Sequence, residues 1–394
     1  MNNLQLYVRL LYLTARNIFS PINRHPLSHA AEKGYMDVVE YLINHGIDVN
    51  TQNHFGSTAL HIAAYKCKSL IVTFLLASNA NPNLQNNSLN TALHYSVVKG
   101  DISITNLLLN HNANPNLQNN SLNTALHYSV VKGDIFITNL LLNHNANPNL
   151  QNDALNTALH YSVENSNISI TNLLLNHNAD ITIQGKFSHT PFRRAWIKYI
   201  ENPERHLEMM RLLITHMVKI ERANLVDTSS PGFLENKELV SESEELKGLE
   251  QQCHKEIEEM RSICVSKNNS SFFDIFVLQK DMNILARCAN NPDIVKCQNR
   301  FPMYSSCIEK SIEEGKERAK LLQGAVESVD EIFESNQDVS QKSHTSWLHL
   351  PPEVRLMILE NLGDDDLTKL QHNEEAAAEA EAQVGGAYAI YEGE

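Results

Sequence analysis

Four histidines stand at equal intervals, His61, His94, His127 and His160, each 33 residues from the next. Imidazole is the commonest metal ligand and the side chain best suited to acid–base work near neutral pH. The spacing argues against both uses, because a zinc site normally contains one close pair of ligands. A second series, His111, His144 and His177, follows an apolar helical stretch each time, where a ring N–H can satisfy orphan carbonyls. The six cysteines, Cys67, Cys253, Cys264, Cys288, Cys297 and Cys307, contain no C-x-x-C pair. That scatter suits reduced thiols packed as small hydrophobes. Cys253 and His254 are neighbours, which on a helix points them about 100° apart, so the base does not face the thiol. No phosphate-binding Gly loop or paired-carboxylate pattern stands out, and Glu runs such as 242–245 read as solvated helix faces. These residues assign no catalytic group, metal ligand or cofactor, and the expectation is a protein that is not an enzyme.

Chemistry by docking is a different matter. Residues 347–370 are rich in apolar side chains at helical spacing. Pro351 and Pro352 can open a helix. Val354, Met357, Ile358 and Leu362 then form one stripe. Gly363 stops it, and Asp364 to Asp366 can cap a short helix at Leu367. So much apolar surface on so short a piece requires a partner.

The elements that must carry these residues are legible as a repeat. Thr-Ala-Leu-His recurs at Thr58, Thr91, Thr124 and Thr157, and outer copies begin at His25-Pro26 and Thr190-Pro191. Six units span roughly residues 25–222. In each, Thr can N-cap a short helix, with Ala or Pro at its first position. A break follows at Gly34, Gly100 or Gly133. A second helix starts near Asp37, Asp101 or Asp134. Gly46, or Asn at 79, 112, 145 and 178, ends it in a left-handed cap. This resembles the ankyrin repeat. The resemblance implies stacked helix–turn–helix–hairpin units with a concave face for a protein partner. It departs from the family at the hairpin, where only Gly56 keeps the expected glycine. Leu89, Leu122, Leu155 and Ser188 replace it, and Leu enters a positive-φ turn only at a cost, so hairpins of altered turn type are expected. The Asn ladder (Asn83, Asn86, Asn87, Asn90 and copies) reads equally as a recognition strip or as compositional drift.

Beyond Ser229-Ser230-Pro231-Gly232 the repetition stops. Helices are expected over Leu239 to Cys264, Ser271 to Cys288 and Tyr304 to about Phe333. The pattern L-P-x-E-[LIV]…I-[LF]-x-x-L…D-L, met by Leu350, Pro351, Glu353, Val354, Ile358, Leu362 and Leu367, resembles a truncated F-box. Asn283-Ile-Leu-Ala-Arg-Cys-Ala-Asn-Asn, Phe301-Pro-Met-Tyr304, Gly315-Lys-Glu-Arg318 and Leu321-Leu322 resemble the PRANC region. That region closes ankyrin proteins of poxviruses and of some obligate intracellular bacteria, including Orientia-type effectors. The implied fold is all-α, an ankyrin solenoid followed by a helical PRANC/F-box-like region. The implied domains are an N-terminal capping helix within 1–24, repeats over 25–222, an intervening helical region over 223–345, the F-box-like motif over 346–371 and a tail over 372–394. The implied partners are a host protein on the concave face and the S-phase-kinase-associated adaptor of a host SCF-type ubiquitin ligase. Leu350, Pro351, Glu353, Ile358, Leu362 and Leu367 are the expected docking residues.

Charge is unevenly placed within the net −14 of the 394 residues. Residues 1–234 hold 16 Lys+Arg against 14 Asp+Glu, whereas residues 235–394 hold 16 against 32. Neither part is basic, which disfavours nucleic acid and anionic membranes as partners. No apolar run reaches the roughly 20 residues of a membrane helix, and the N-terminal stretch lacks the marks of a secretory signal peptide. The Ala/Glu-rich tail resembles C-terminal signals of bacterial type I secretion. It implies delivery by an intracellular bacterium into host cytoplasm, in preference to a viral origin.

Overall fold

The computed structural model describes residues 25–265, 271–279 and 282–335, together with 355, 356, 359, 360, 362–364, 367 and 368. The helix expected over 4–19 and the tail 372–394 lie outside the described residues. The described residues are helical, with no strand beyond an isolated bridge between Cys264 and Ser271. The chain divides into two compact units, Met1–Leu249 and Glu250–Glu394.

The first unit is a stack of helix pairs: α1 (Pro26–Lys33) with α2 (Met36–Asn44), α3 (Ala59–Tyr65) with α4 (Ser69–Ala77), α5 (Ala92–Lys99) with α6 (Ile102–Asn110), α7 (Ala125–Lys132) with α8 (Ile135–Asn143), and α9 (Ala158–Glu164) with α10 (Ile168–Asn176). A sixth pair, α11 (Pro191–Glu201) and α12 (Pro203–Arg222), is longer. The inner helices start where the threonines stand. Thr91 Oγ1 accepts from His94 N at 3.4 Å, and His94 Nδ1 accepts from Thr91 N at 3.1 Å, a reciprocal cap. Gly100 and Gly133 close α5 and α7 in the left-handed region. Asp101 and Asp134 then N-cap the outer helices through Ile104 N and Ile137 N. Inner and outer helices are joined in the core by hydroxyl pairs, Thr105 to Ser96 and Thr138 to Ser129, both at 3.0 Å.

The hairpins correct the expectation from sequence. Leu89, Leu122, Leu155 and Ser188 adopt φ of 56°, 54°, 58° and 57°, the same left-handed region as Gly56 at 70°. The turn type is kept and the strain is accepted, at about 1–2 kcal/mol per leucine. The neighbouring asparagine holds it there. Asn86 Oδ1 accepts from both Ser88 N and Asn90 N at 3.0 Å, while Leu89 N donates to Asn86 O at 2.8 Å. Asn119 and Asn152 brace their hairpins in the same way.

The first unit continues past residue 222. Helix α13 (Pro231–Ser241) covers the last repeat. Thr190 Oγ1 donates to Asn236 Oδ1 at 2.7 Å, and Asn236 Nδ2 donates to Ile181 O at 3.2 Å. Arg193 pairs with Glu235 at 2.7 Å. Backbone meets backbone at Gly232, where any Cβ would stand 2.0 Å from Thr182 O. The helix expected over Leu239 to Cys264 is therefore two, α13 and α14 (Glu244–Ser262).

The second unit has an aromatic core of Phe272, Phe273, Phe276, Phe301 and Tyr304, all buried. The stretch Ser271 to Cys288 is also split, into a π-helical turn (Phe273–Val277) and α15 (Met282–Cys288), with Gln279 at φ 52° between them. Helices α16 (Pro292–Cys297) and α17 (Ser305–Ser335) follow. Of its cysteines only Cys253 is buried, whereas Cys264 is exposed, so the expected core thiols are not a uniform set.

Candidate functional site

The histidine series resolves first. His61 Nδ1 accepts from Thr58 N at 3.1 Å, which leaves the proton on Nε2, and Nε2 donates to Asn90 O of the next hairpin at 3.0 Å. His94, His127 and His160 repeat the contact with Asn123 O, Asn156 O and His189 O, each at 3.1 Å. Each ring caps its own helix and ties one repeat to the next. Burial lowers the pKa of all four, to about 4 for His61, His94 and His160. His111 Nδ1 donates to Leu107 O at 2.9 Å, the helix-end role expected of it.

The Asn ladder is a brace between repeats. Asn83 Nδ2 donates to Asn112 O at 3.0 Å, and Asn83 Oδ1 accepts from Asn114 N at 2.7 Å. Asn119 Nδ2 donates to Asn90 Oδ1 at 3.0 Å. These asparagines stitch neighbouring hairpins together, while Asn87 and Asn120 stay exposed. The hairpin tips expose apolar side chains, Phe55, Leu89, Leu122, Leu155 and Phe187, among polar ones such as Asn87, Asn120 and Asp153. Among the described residues, no three ligand-type side chains that include a cysteine converge.

In the second unit, α15 and α17 form a mount for the F-box-like segment. They approach closely because residue 315 is glycine: a Cβ there would stand 2.8 Å from Leu285 O and from Ala289 Cβ. Ala286, Leu322 and Ala325 form one buried cluster with Leu359 and Leu367 of the segment. Leu359 is 1% exposed and Leu367 0%. Leu356 and Leu362 are half-buried against the same cluster. The apolar surface that sequence leaves unpartnered is thus partly covered by the chain itself, because helices 282–288 and 305–335 return a matching face from far away in sequence.

Polar groups fasten the edge of that contact. Arg318 Nη2 donates to Leu362 O at 2.7 Å and to Glu360 O at 3.2 Å, and its Nη1 pairs with Asp364. Asn283 Nδ2 donates to Glu360 O at 3.0 Å, and Asn283 Oδ1 accepts from Arg318. Arg287 grips the Glu360 carboxylate with both arms of its fork, Nε at 2.9 Å from Oε1. Sequence reasoning singles out Asn283, Arg287 and Arg318 only as parts of a resemblance and gives them no task. Polar side chains set into helices that otherwise bury apolar faces were the available signal.

Leu350, Pro351, Glu353 and Ile358 lie outside the described residues. Of the six expected docking residues, Leu362 is half-buried and Leu367 fully buried.

Comparison with known proteins agrees with this geometry. A family model described as the PRANC domain matches residues 267–372. One described as ankyrin repeats (3 copies) matches residues 2–86, 27–119, 70–152 and 93–185. Ankyrin repeat protein FPV031 of fowlpox virus (strain NVSL) is 27% identical over 162 residues, 41% of this chain and 46% of its own. Ankyrin repeat protein FPV014 of the same virus is 30% identical over 130 residues, 33% of this chain and 29% of its own. Ankyrin repeat protein OPG189 of monkeypox virus is 32% identical over 116 residues, 29% of this chain and 18% of its own. The chain thus spans less than half the length of these relatives.

Proposed function

The chain carries ankyrin repeats followed by a PRANC domain, and we propose that it works as an adaptor between a host protein and a host SCF-type ubiquitin ligase. The repeats hold the target, and the exposed apolar row at the hairpin tips supports that role. The F-box-like segment recruits the ligase through its S-phase-kinase-associated subunit. The observation that carries the proposal is the seating of Leu356, Leu359, Leu362 and Leu367 on α15 and α17. One face of the segment is anchored, as a docking helix requires if it is to be held at a fixed angle. Leu350, Pro351, Glu353 and Ile358 are then the residues that meet the adaptor. Leu367, with Leu362 beside it, is proposed as anchor. Catalysis would be proximity supplied by the ligase.

Co-precipitation from host lysate tests this. Leu350→Ala with Pro351→Ala and Ile358→Ala should abolish adaptor capture while leaving target capture intact. Retained adaptor capture would overturn the docking role.

A second reading is sequestration of the target without ubiquitination, favoured by the burial of Leu359 and Leu367 within the chain. It predicts that deleting residues 347–370 leaves the host phenotype unchanged. As to delivery, the tail 372–394 is proposed as a secretion signal of an intracellular bacterium. The poxviral relatives favour the alternative, synthesis inside the infected cell. A reporter bearing residues 372–394, assayed for export from a bacterium, separates the two.

A further inference from the structure

The carbonyl end of a helix leaves backbone oxygens without intrahelical partners and carries partial negative charge. At the F-box-like segment those oxygens, Glu360 O and Leu362 O, converge on one guanidinium, that of Arg318. Its side chain is only 7% exposed, whereas that of Arg287, on the outside of the same contact, is 56% exposed. Arg287 holds only the Glu360 side chain, which is 8% exposed, and none of the backbone carbonyls. A buried, charge-assisted contact to two carbonyls and a carboxylate is of the strong kind. Planarity matters too, because one rigid fork reaches Leu362 O, Glu360 O and Asp364 at once, with Asn283 Oδ1 orienting it. A lysine ammonium is a point charge on a flexible stem and cannot hold that set in one geometry.

We propose that Arg318, backed by Asn283, is the positioning residue that fixes the carbonyl end of the F-box-like helix on α15 and α17, and so sets the angle at which the helix is offered to the ligase adaptor. The angular role rests on the docking reading above. The fixing of the helix does not.

The test uses the full chain with Arg318→Lys, Asn283→Ala and Arg287→Ala. Three quantities are read: amide hydrogen exchange at Glu360, Leu362 and Leu367, affinity for the purified adaptor, and the thermal melt. Arg318→Lys should speed exchange at those amides by about tenfold or more and weaken adaptor binding by a similar factor. Arg287→Ala, which removes a contact to the Glu360 side chain and to no backbone carbonyl, should speed exchange at Leu362 and Leu367 less than Arg318→Lys does. Should Arg318→Lys lower the melt of the whole unit, Asn283→Ala, which removes one carbonyl contact and the orienting oxygen, must still speed exchange at the same amides. Unchanged exchange in both variants overturns the positioning role. Fast exchange with unchanged adaptor affinity overturns the angular role. A wild-type chain that captures no adaptor overturns the docking reading, while the exchange result still decides whether Arg318 fixes the helix.

Discussion

At the scale of residues, buried histidines make the repeat stack sensitive to acid. In the folded chain His61, His94 and His160 are held neutral down to about pH 4, with burial as the main cause. In the unfolded chain each protonates near pH 6.5. Between those values the unfolded state binds more protons, so the histidine contribution is complete above pH 6.5 and is lost as pH falls toward 4. Each such histidine costs up to about 1.4 kcal/mol per pH unit in that window, and three act together. Urea unfolding followed by helical signal should therefore show the repeats' midpoint falling clearly between pH 7 and pH 5. An unchanged midpoint would mean that the rings are not buried neutral. Sequence alone supports the structural role of these histidines through their 33-residue spacing. The partner on the next hairpin is a carbonyl, and a carbonyl leaves no mark in residue type. The left-handed leucines depart from expectation for a related reason. Their strain was legible, but the asparagine brace that holds it was not.

At the scale of elements, the contact between α15 and α17 turns on Gly315. A helix-interior glycine is ordinarily a weakness, and alanine would gain about 1 kcal/mol from propensity alone. Here the added methyl would press on Leu285 O and Ala289 Cβ, both at 2.8 Å. Backbone on one side cannot move aside without parting the helices, so the steric term wins. Gly315→Ala should destabilise the second unit by roughly 1–3 kcal/mol and loosen the groove that receives Leu359 and Leu367. Thermal melting with tryptic cleavage of the C-terminal segment would register both effects. A melting temperature at or above that of the wild type would show that the helices separate freely. The existence and type of the long helices were legible in apolar periodicity, and α17 lies where it was expected. The breaks at Glu242 and Gln279 were not, because the stretches 239–264 and 271–288 keep a helical pattern through them. The burial of Leu367 was illegible for a different reason: its partners Ala286, Leu322 and Ala325 are residues that any helix might bury.

At the scale of the whole molecule, the question is where the repeat domain ends. The 33-residue period places its last unit near residue 222, yet the compact unit continues to Leu249. A solenoid is stable only if its terminal repeat is covered, and the last repeat has no successor to receive its inner helix. Helix α13 supplies the cover with Phe233, Leu239 and Val240, all buried, and with Asn236, which is wholly enclosed. The period could not reveal this, since a cap is by nature not another copy of the unit. Removing it takes away the buried contacts of Phe233, Leu239 and Val240, roughly 1.5–3 kcal/mol each, and strips Thr190 Oγ1 and Ile181 O of their partner. A fragment of residues 1–222 should therefore unfold several kcal/mol more easily than one of residues 1–249. It should also lose protection first in α11 and α12, because a stack frays from its uncovered end. Denaturant titration of the two fragments, with hydrogen exchange resolved by repeat, checks this. Equal midpoints would mean that the sixth helix pair closes the stack unaided and that α13 merely rests on it.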